Sequence, residues 1–190
     1  MIEESLGRLA RVSQTLSLSG MRTLLPERFQ RLFIECYVLS FAVLLTVVVN
    51  LATTTTWGWA GLAAYRVIDI VSYRVYFFLL KSKNRPWARS TLRRSLLLAC
   101  CNLYELAMGF AVLYLYSGQV KSGALVLANA TSAVYFSTVT MFTVGYGDYV
   151  PIGPVAQLIV CAQLVSVLTM FTFVFPALVS LFSSRDEPQN

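Results

Sequence analysis

Apolar residues in this chain come in long runs separated by short polar or basic segments, and these runs set the plan of elements. The first extends from Leu32 to Ala52 with Glu35 as its one charge; the second, from about Ala60 to Leu80, carries Arg66, Asp69 and Arg74. A third covers Ser95 to Tyr116 with Asn102 and Glu105 near its middle, and a fourth runs from Pro154 to Phe182. As helices at about 1.5 Å per residue, runs of this length cross a hydrocarbon core of roughly 30 Å. The fourth would reach about 43 Å and so project into water. Between the third and fourth runs lie a connector, Gly118 to Ala130, and a shorter apolar stretch, Ser132 to Phe142, which predicts a short helix. Thr53 to Trp59 reads as a polar turn with two interfacial tryptophans. The expected fold is an all-α membrane protein with four transmembrane helices and one re-entrant short helix. Its segments are an amphipathic stretch over residues 1–30, a two-helix membrane region over 31–80, a basic linker over 81–94, a principal unit over 95–182 and a tail over 183–190.

Charge gives this plan a direction. Of 15 Lys and Arg, five arginines precede the first run, six basic residues fill 81–94 and Arg185 follows the last run; only Lys121 lies in the opposite connectors. The bias of basic residues toward the cytoplasm then places both termini and the basic linker inside, and residues 117–153 outside. The net charge of +6 is thereby assigned to orientation and to the bilayer surface, with no nucleic acid implied. Histidine is absent, which removes the commonest general base, so no enzyme and no cofactor are expected. Cys36, Cys100, Cys101 and Cys161 fall inside apolar runs and match no zinc spacing. Charges from Glu3 to Arg22 interrupt any signal-peptide core. With eight residues after the last run, gating by an attached nucleotide- or calcium-binding domain is not expected; lipid, pH, tension or another protein remain.

The chemistry concentrates in Thr143-Val144-Gly145-Tyr146-Gly147-Asp148. Glycines at 145 and 147 reach backbone angles closed to other residues, so successive carbonyls can turn toward one axis and replace the hydration shell of a potassium ion. Four or five successive carbonyls over Thr143, Val144, Gly145, Tyr146 and Gly147 can serve in this way, with Val144 and Tyr146 keeping their side chains behind the backbone.

With Ala133 to Phe142 before it and Tyr149-Val150-Pro151 after it, this stretch resembles the pore of the potassium channel superfamily, most closely its two-pore-domain branch and bacterial relatives. The resemblance covers about residues 95–182: an outer helix over 95–116, a pore helix over 132–142, a selectivity filter over 143–148 and an inner helix over 154–182. It implies that Gly147 and Asp148 shape the outer mouth and that Tyr135 and Phe136 stand in an aromatic cuff behind the filter. It also implies a multi-pass cell-membrane protein conducting potassium passively, with the filter on the extracellular face. One loop per chain and four loops per ring imply a homotetramer. A non-conducting membrane subunit that assembles with a channel is the alternative, and a potassium transporter ranks below it. Three residues depart from common family choices: Phe142 replaces a threonine or serine, Phe136 cannot donate as an indole would, and Val139 leaves Asp148 without a glutamate partner. The inner helix has no glycine, so Pro176 is the expected kink.

Other residues carry weaker expectations. Leu168, Phe171, Phe175 and Val179 recur at helical spacing, either as packing core or as the lining of a cavity, with Phe175 a candidate constriction beside Pro176. Arg66, Asp69 and Arg74 are too few and too irregularly spaced for a voltage-sensing series. Depth matching instead pairs Arg66 with Asp69 or Glu105, and Arg74 with Glu35. Asn129-Ala130-Thr131 fits a glycan acceptor, but reads better as the start of the short helix, with Thr131 or Ser132 as cap.

Overall fold

In the computed structural model, residues 27–51, 57–76 and 89–183 are described, with the side chains of the last helix as far as Thr172. Residues 1–26 of the amphipathic stretch, 52–56 at the expected turn, 77–80 at the end of the second run, 81–88 of the basic linker and the tail after Ser183 therefore lie outside the described residues. The elements in order are α1 (Glu27–Leu51), α2 (Trp57–Tyr76), α3 (Arg89–Ser117), β1 (Val120–Ser122), β2 (Leu125–Val126), α4 (Ala130–Met141), β3 (Val150–Pro151) and α5 (Pro154–Ser183).

Among the described residues, three helices contain stretches long and apolar enough to cross a membrane, Leu32–Leu51, Leu96–Ser117 and Pro154–Thr172. Among the described residues α2 does not join them on that measure, because its 20 residues hold Arg66, Asp69 and Arg74. Trp57 and Trp59, expected in the preceding turn, form the first turn of α2. Centrally placed, α3 packs against α1, α2, α4 and α5, whereas α1 and α2 barely touch one another. Its buried side chains Leu106, Phe110, Val112 and Tyr114 join Leu45 and Val48 of α1, Ala63 and Val67 of α2, and Met170 of α5 in one core. At Gly109 the helices come close: an added Cβ would sit 3.1 Å from Val67 Cγ2.

The chain is not wholly helical. A three-stranded antiparallel sheet has the order β2-β1-β3, with β1 and β2 in the expected connector and β3 just before α5. Gly118, at φ 59°, ends α3 in the left-handed conformation that glycine adopts without cost. Gly123, at φ 58°, then opens the two-residue turn that pairs Ser122 with Leu125, as a type II′ hairpin requires. On its other edge β1 pairs with β3, Val120 opposite Pro151 and Lys121 opposite Val150. The chain between residues 127 and 149 is thus a loop whose ends are tied by strand pairing.

The carboxamide of Gln119 secures the start of α5. Its Oε1 accepts from Val155 N at 3.0 Å and Ala156 N at 3.3 Å, and its carbonyl accepts from Ile152 N at 2.8 Å. Pro154 opens the helix, where a missing N–H costs nothing. A Cβ on Gly153 would collide with the Gln119 carboxamide. Gly153→Ala therefore displaces this cap and lowers stability by about 1 kcal/mol, the usual worth of an N-terminal cap. Thermal unfolding of the purified protein in detergent checks it.

Candidate functional site

The short helix α4 and the six residues after it form the most specialised part of the molecule. Asn129, extended at φ −120° and ψ 153°, is the cap: its Oδ1 accepts from Ser132 N at 2.7 Å and its carbonyl from Ala133 N at 3.1 Å. The cap is therefore Asn129, not Thr131 or Ser132; of these three polar residues, it alone has the extended backbone that aims its side chain at the open N–H groups. At the other end the chain leaves α4 without breaking contact with it. Thr143 N donates to Thr140 O at 3.0 Å and Val144 N to Val139 O at 2.9 Å.

Beyond that point the backbone alternates in hand. Thr143, Gly145 and Gly147 have φ of 54°, 59° and 79°, while Val144 and Tyr146 are not left-handed. In a strand of uniform hand successive carbonyls point to opposite sides; alternation turns them to the same side. Open space surrounds the Cβ positions of Gly145 and Gly147, so within one chain conformation alone demands glycine there. Thr143 holds its left-handed angle without that freedom, a strain of the sort found at functional sites.

Aromatic rings brace the segment from behind. Phe136 is buried, with Tyr114 edge-on at 4.7 Å and Tyr149 at 6.4 Å; Tyr135 meets Tyr149 at 6.1 Å. The Tyr149 hydroxyl donates to Ser132 Oγ at 3.0 Å, fastening the exit of the loop to the entry of α4. Asp148 has partners without a glutamate at Val139. Its Oδ1 accepts from Tyr149 N at 3.1 Å. The Tyr135 hydroxyl hydrogen-bonds the same carboxylate, which raises its pKa above that of a free phenol.

A fully buried polar chain joins three helices below these rings. Tyr114 of α3 donates to Gln163 Oε1 at 2.6 Å. Gln163 Nε2, from α5, donates to Ser137 O at 2.8 Å and to Ser137 Oγ at 3.0 Å. Ser137 Oγ, from α4, donates back to Ala107 O of α3 at 2.8 Å. Sequence reasoning did not single out Gln163, although an uncharged amide isolated in an apolar run was a signal, since such groups are costly in hydrocarbon without partners.

Among the described residues the ion pairs form one triad and one separate pair. Arg66 binds both expected carboxylates: Nη1 lies 2.7 Å from Asp69 Oδ2, and Nε and Nη2 lie 3.0 and 2.6 Å from Glu105 Oε2. Tyr37 donates to Asp69 Oδ2 at 3.0 Å, and the rings of Tyr37 and Phe41 lie 4.5 and 4.9 Å from the guanidinium carbon. Glu35, by contrast, pairs with Arg94 at 2.6 Å rather than with Arg74. Depth alone suggested Arg74, but α1 lies against α3, which carries Arg94, and barely meets α2. The Arg74 Nε is buried without a hydrogen-bond partner among the described residues. On α5, Leu168 is exposed and Phe171 packs partly against the core; the side chains of Phe175, Pro176 and Val179 lie outside those described, and the helix continues through Pro176 to Ser183.

A capped short helix, a loop of alternating backbone hand and a long helix after it, in an apolar helical frame, make up the candidate site. Residues 102–184 match a family model described as Ion channel. Over 56 residues the chain is 41% identical to a protein named Potassium channel K1 from Plasmodium berghei (strain Anka), a match spanning 30% of this chain and 3% of that relative. This chain thus corresponds to a small part of the relative's length, and no solved structure matches. Residues 102–184 are thus similar to an ion-channel domain, in a chain that holds helices apolar enough to cross a membrane.

Arg66→Met removes the single cation from between two buried carboxylates, and should destabilise the protein by roughly 3–5 kcal/mol. Adding Asp69→Asn and Glu105→Gln to that variant should recover much of the loss. Chemical denaturation in detergent, followed by far-ultraviolet circular dichroism, checks both.

Proposed function

We propose that this chain is the subunit of a homotetrameric potassium-selective channel, with the carbonyls of Thr143, Val144, Gly145 and Tyr146 as the ion ligands. The observation that carries this reading is the alternation of backbone hand at Thr143, Gly145 and Gly147, directly after a helix whose C-terminal end is tied to the loop. Carbonyls on one side of one chain make a quarter of a coordination shell; four chains about an axis close it. The single chain leaves the surface for such an assembly open: Val144 and Tyr146 are exposed, as are Leu158, Val165 and Leu168 along α5. In the assembly the neighbours cover Val144 and Tyr146, and α5 borders the axis below the filter.

In this reading α3 is the outer helix, α4 the pore helix and α5 the inner helix. The C-terminal end of α4 faces the cavity, where its dipole favours a cation. With α1 and α2 there are four membrane helices per subunit; α2 is tolerated because Arg66 is paired with Asp69 and Glu105 inside the protein. Charge bias places both termini in the cytoplasm and the β-sheet and Asp148 on the extracellular side of the cell membrane. Conduction is passive: an ion sheds water at Thr143, advances through the carbonyl sites as others follow, and rehydrates beyond Asp148. Potassium is the permeant ligand, and the chemistry requires no other cofactor.

Purified protein in liposomes should conduct potassium in preference to sodium, with block by barium. Gly145→Ala places a Cβ on a residue at φ 59°, which costs about 1–2 kcal/mol per chain in that conformation, and should abolish the flux. Equal potassium and sodium fluxes contradict potassium selectivity. A correctly assembled protein that passes neither ion supports the non-conducting subunit instead.

A further inference from the structure

We propose that Gln163 is a positioning residue for the filter: its carboxamide holds α4 in register with α5 and thereby fixes where the filter begins. The inference rests on the channel reading and adds to it the residue through which the inner helix acts on selectivity.

Gln163 is fully buried in an otherwise apolar stretch of α5, where an unpartnered amide is costly. It is not unpartnered. Each of its polar atoms is engaged, and the directions leave no ambiguity about which group donates. The Tyr114 hydroxyl gives its proton to Oε1. The two protons of Nε2 serve the two oxygens of Ser137, carbonyl and hydroxyl. The Ser137 proton goes on to the Ala107 carbonyl. Because the hydroxyl proton is committed to α3, Ser137 Oγ can receive from Gln163 only as an acceptor, which suits an amide N–H and excludes a carboxylate.

Position along α4 gives this clamp its consequence. Ser137 stands within the last turn and a half of the helix, and Val139 and Thr140, two and three residues on, supply the carbonyls that hold Val144 N and Thr143 N. A shift of α5 against α4 therefore passes through one serine to the two amides that start the filter. The same serine follows Phe136, whose ring meets Tyr114 edge-on, so the brace behind the filter and the clamp on its helix share a residue. Packing alone needs an apolar side chain of this size; methionine fills similar volume without the hydrogen bonds. The contrast between the two separates positioning from filling.

The test is the potassium-to-sodium permeability ratio, from bi-ionic reversal potentials of the full chain in bilayers. Gln163→Met should lower the ratio about tenfold, the size expected when buried donors lose their partner. Ser137→Ala, which removes one hydroxyl and is the safer variant for folding, should lower it less. The double variant should be no worse than Gln163→Met alone, since both act on one interaction. A wild-type ratio in Gln163→Met and Ser137→Ala, against selective wild-type current, overturns the inference and leaves the channel reading standing. Wild-type protein with no selective current overturns the channel reading, and this inference with it.

Discussion

Residues 142–148 are all exposed in the single chain, so the shape of this segment is imposed from its two ends. At the entry, Val139 and Thr140 of α4 accept from Val144 N and Thr143 N. At the exit, Tyr149 is bonded to Ser132, and β3 pairs with β1 immediately after α3. Remove either attachment and nothing within the segment itself would keep Thr143 at a positive φ. Most of the surrounding architecture can be understood as support for these two anchor points: Asn129 fixes where α4 starts, Gln119 fixes where α5 starts, and α3 is the surface on which both rest.

Polar groups buried in an apolar frame do a second kind of work. Hydrophobic packing between helices is weakly directional, and in hydrocarbon it gives little preference for one register over another. Hydrogen bonds supply that preference. The Arg66 cluster sets α2 against α3 and, through Tyr37, against α1. The Gln163 chain does the same for α3, α4 and α5. Buried ion pairs stabilise little in net terms once desolvation is counted. Their value here is in making the alternative arrangements of the helices worse.

Much of this was legible in the sequence, for physical reasons that differ by feature. Long apolar runs locate α1, α3 and α5 to within a few residues, because crossing a bilayer leaves little choice of composition. The Thr143–Asp148 segment is recognisable because few residue types tolerate alternating backbone hand. Arg66 could be matched with Asp69 and Glu105 because depth in the membrane constrains charged partners. Depth says nothing about direction around a helix, however, and so Glu35 was matched with Arg74 when its neighbour is Arg94. The β-hairpin was not legible: strands of two and three residues are too short to show alternation, and only Gly123 marks the turn. Gln163 was missed because its partners come from two other helices, at Ser137 and Tyr114, and no pattern local to α5 points to them.

The most direct measurement is an electron cryomicroscopy structure of the full chain in lipid with potassium, with a second data set in which potassium is replaced. Four chains around one axis, with cation density between rings of carbonyls from Thr143 to Tyr146 that is lost or altered on replacement, is the predicted result. A different number of chains, or these carbonyls turned away from the axis with no density between them, would contradict it.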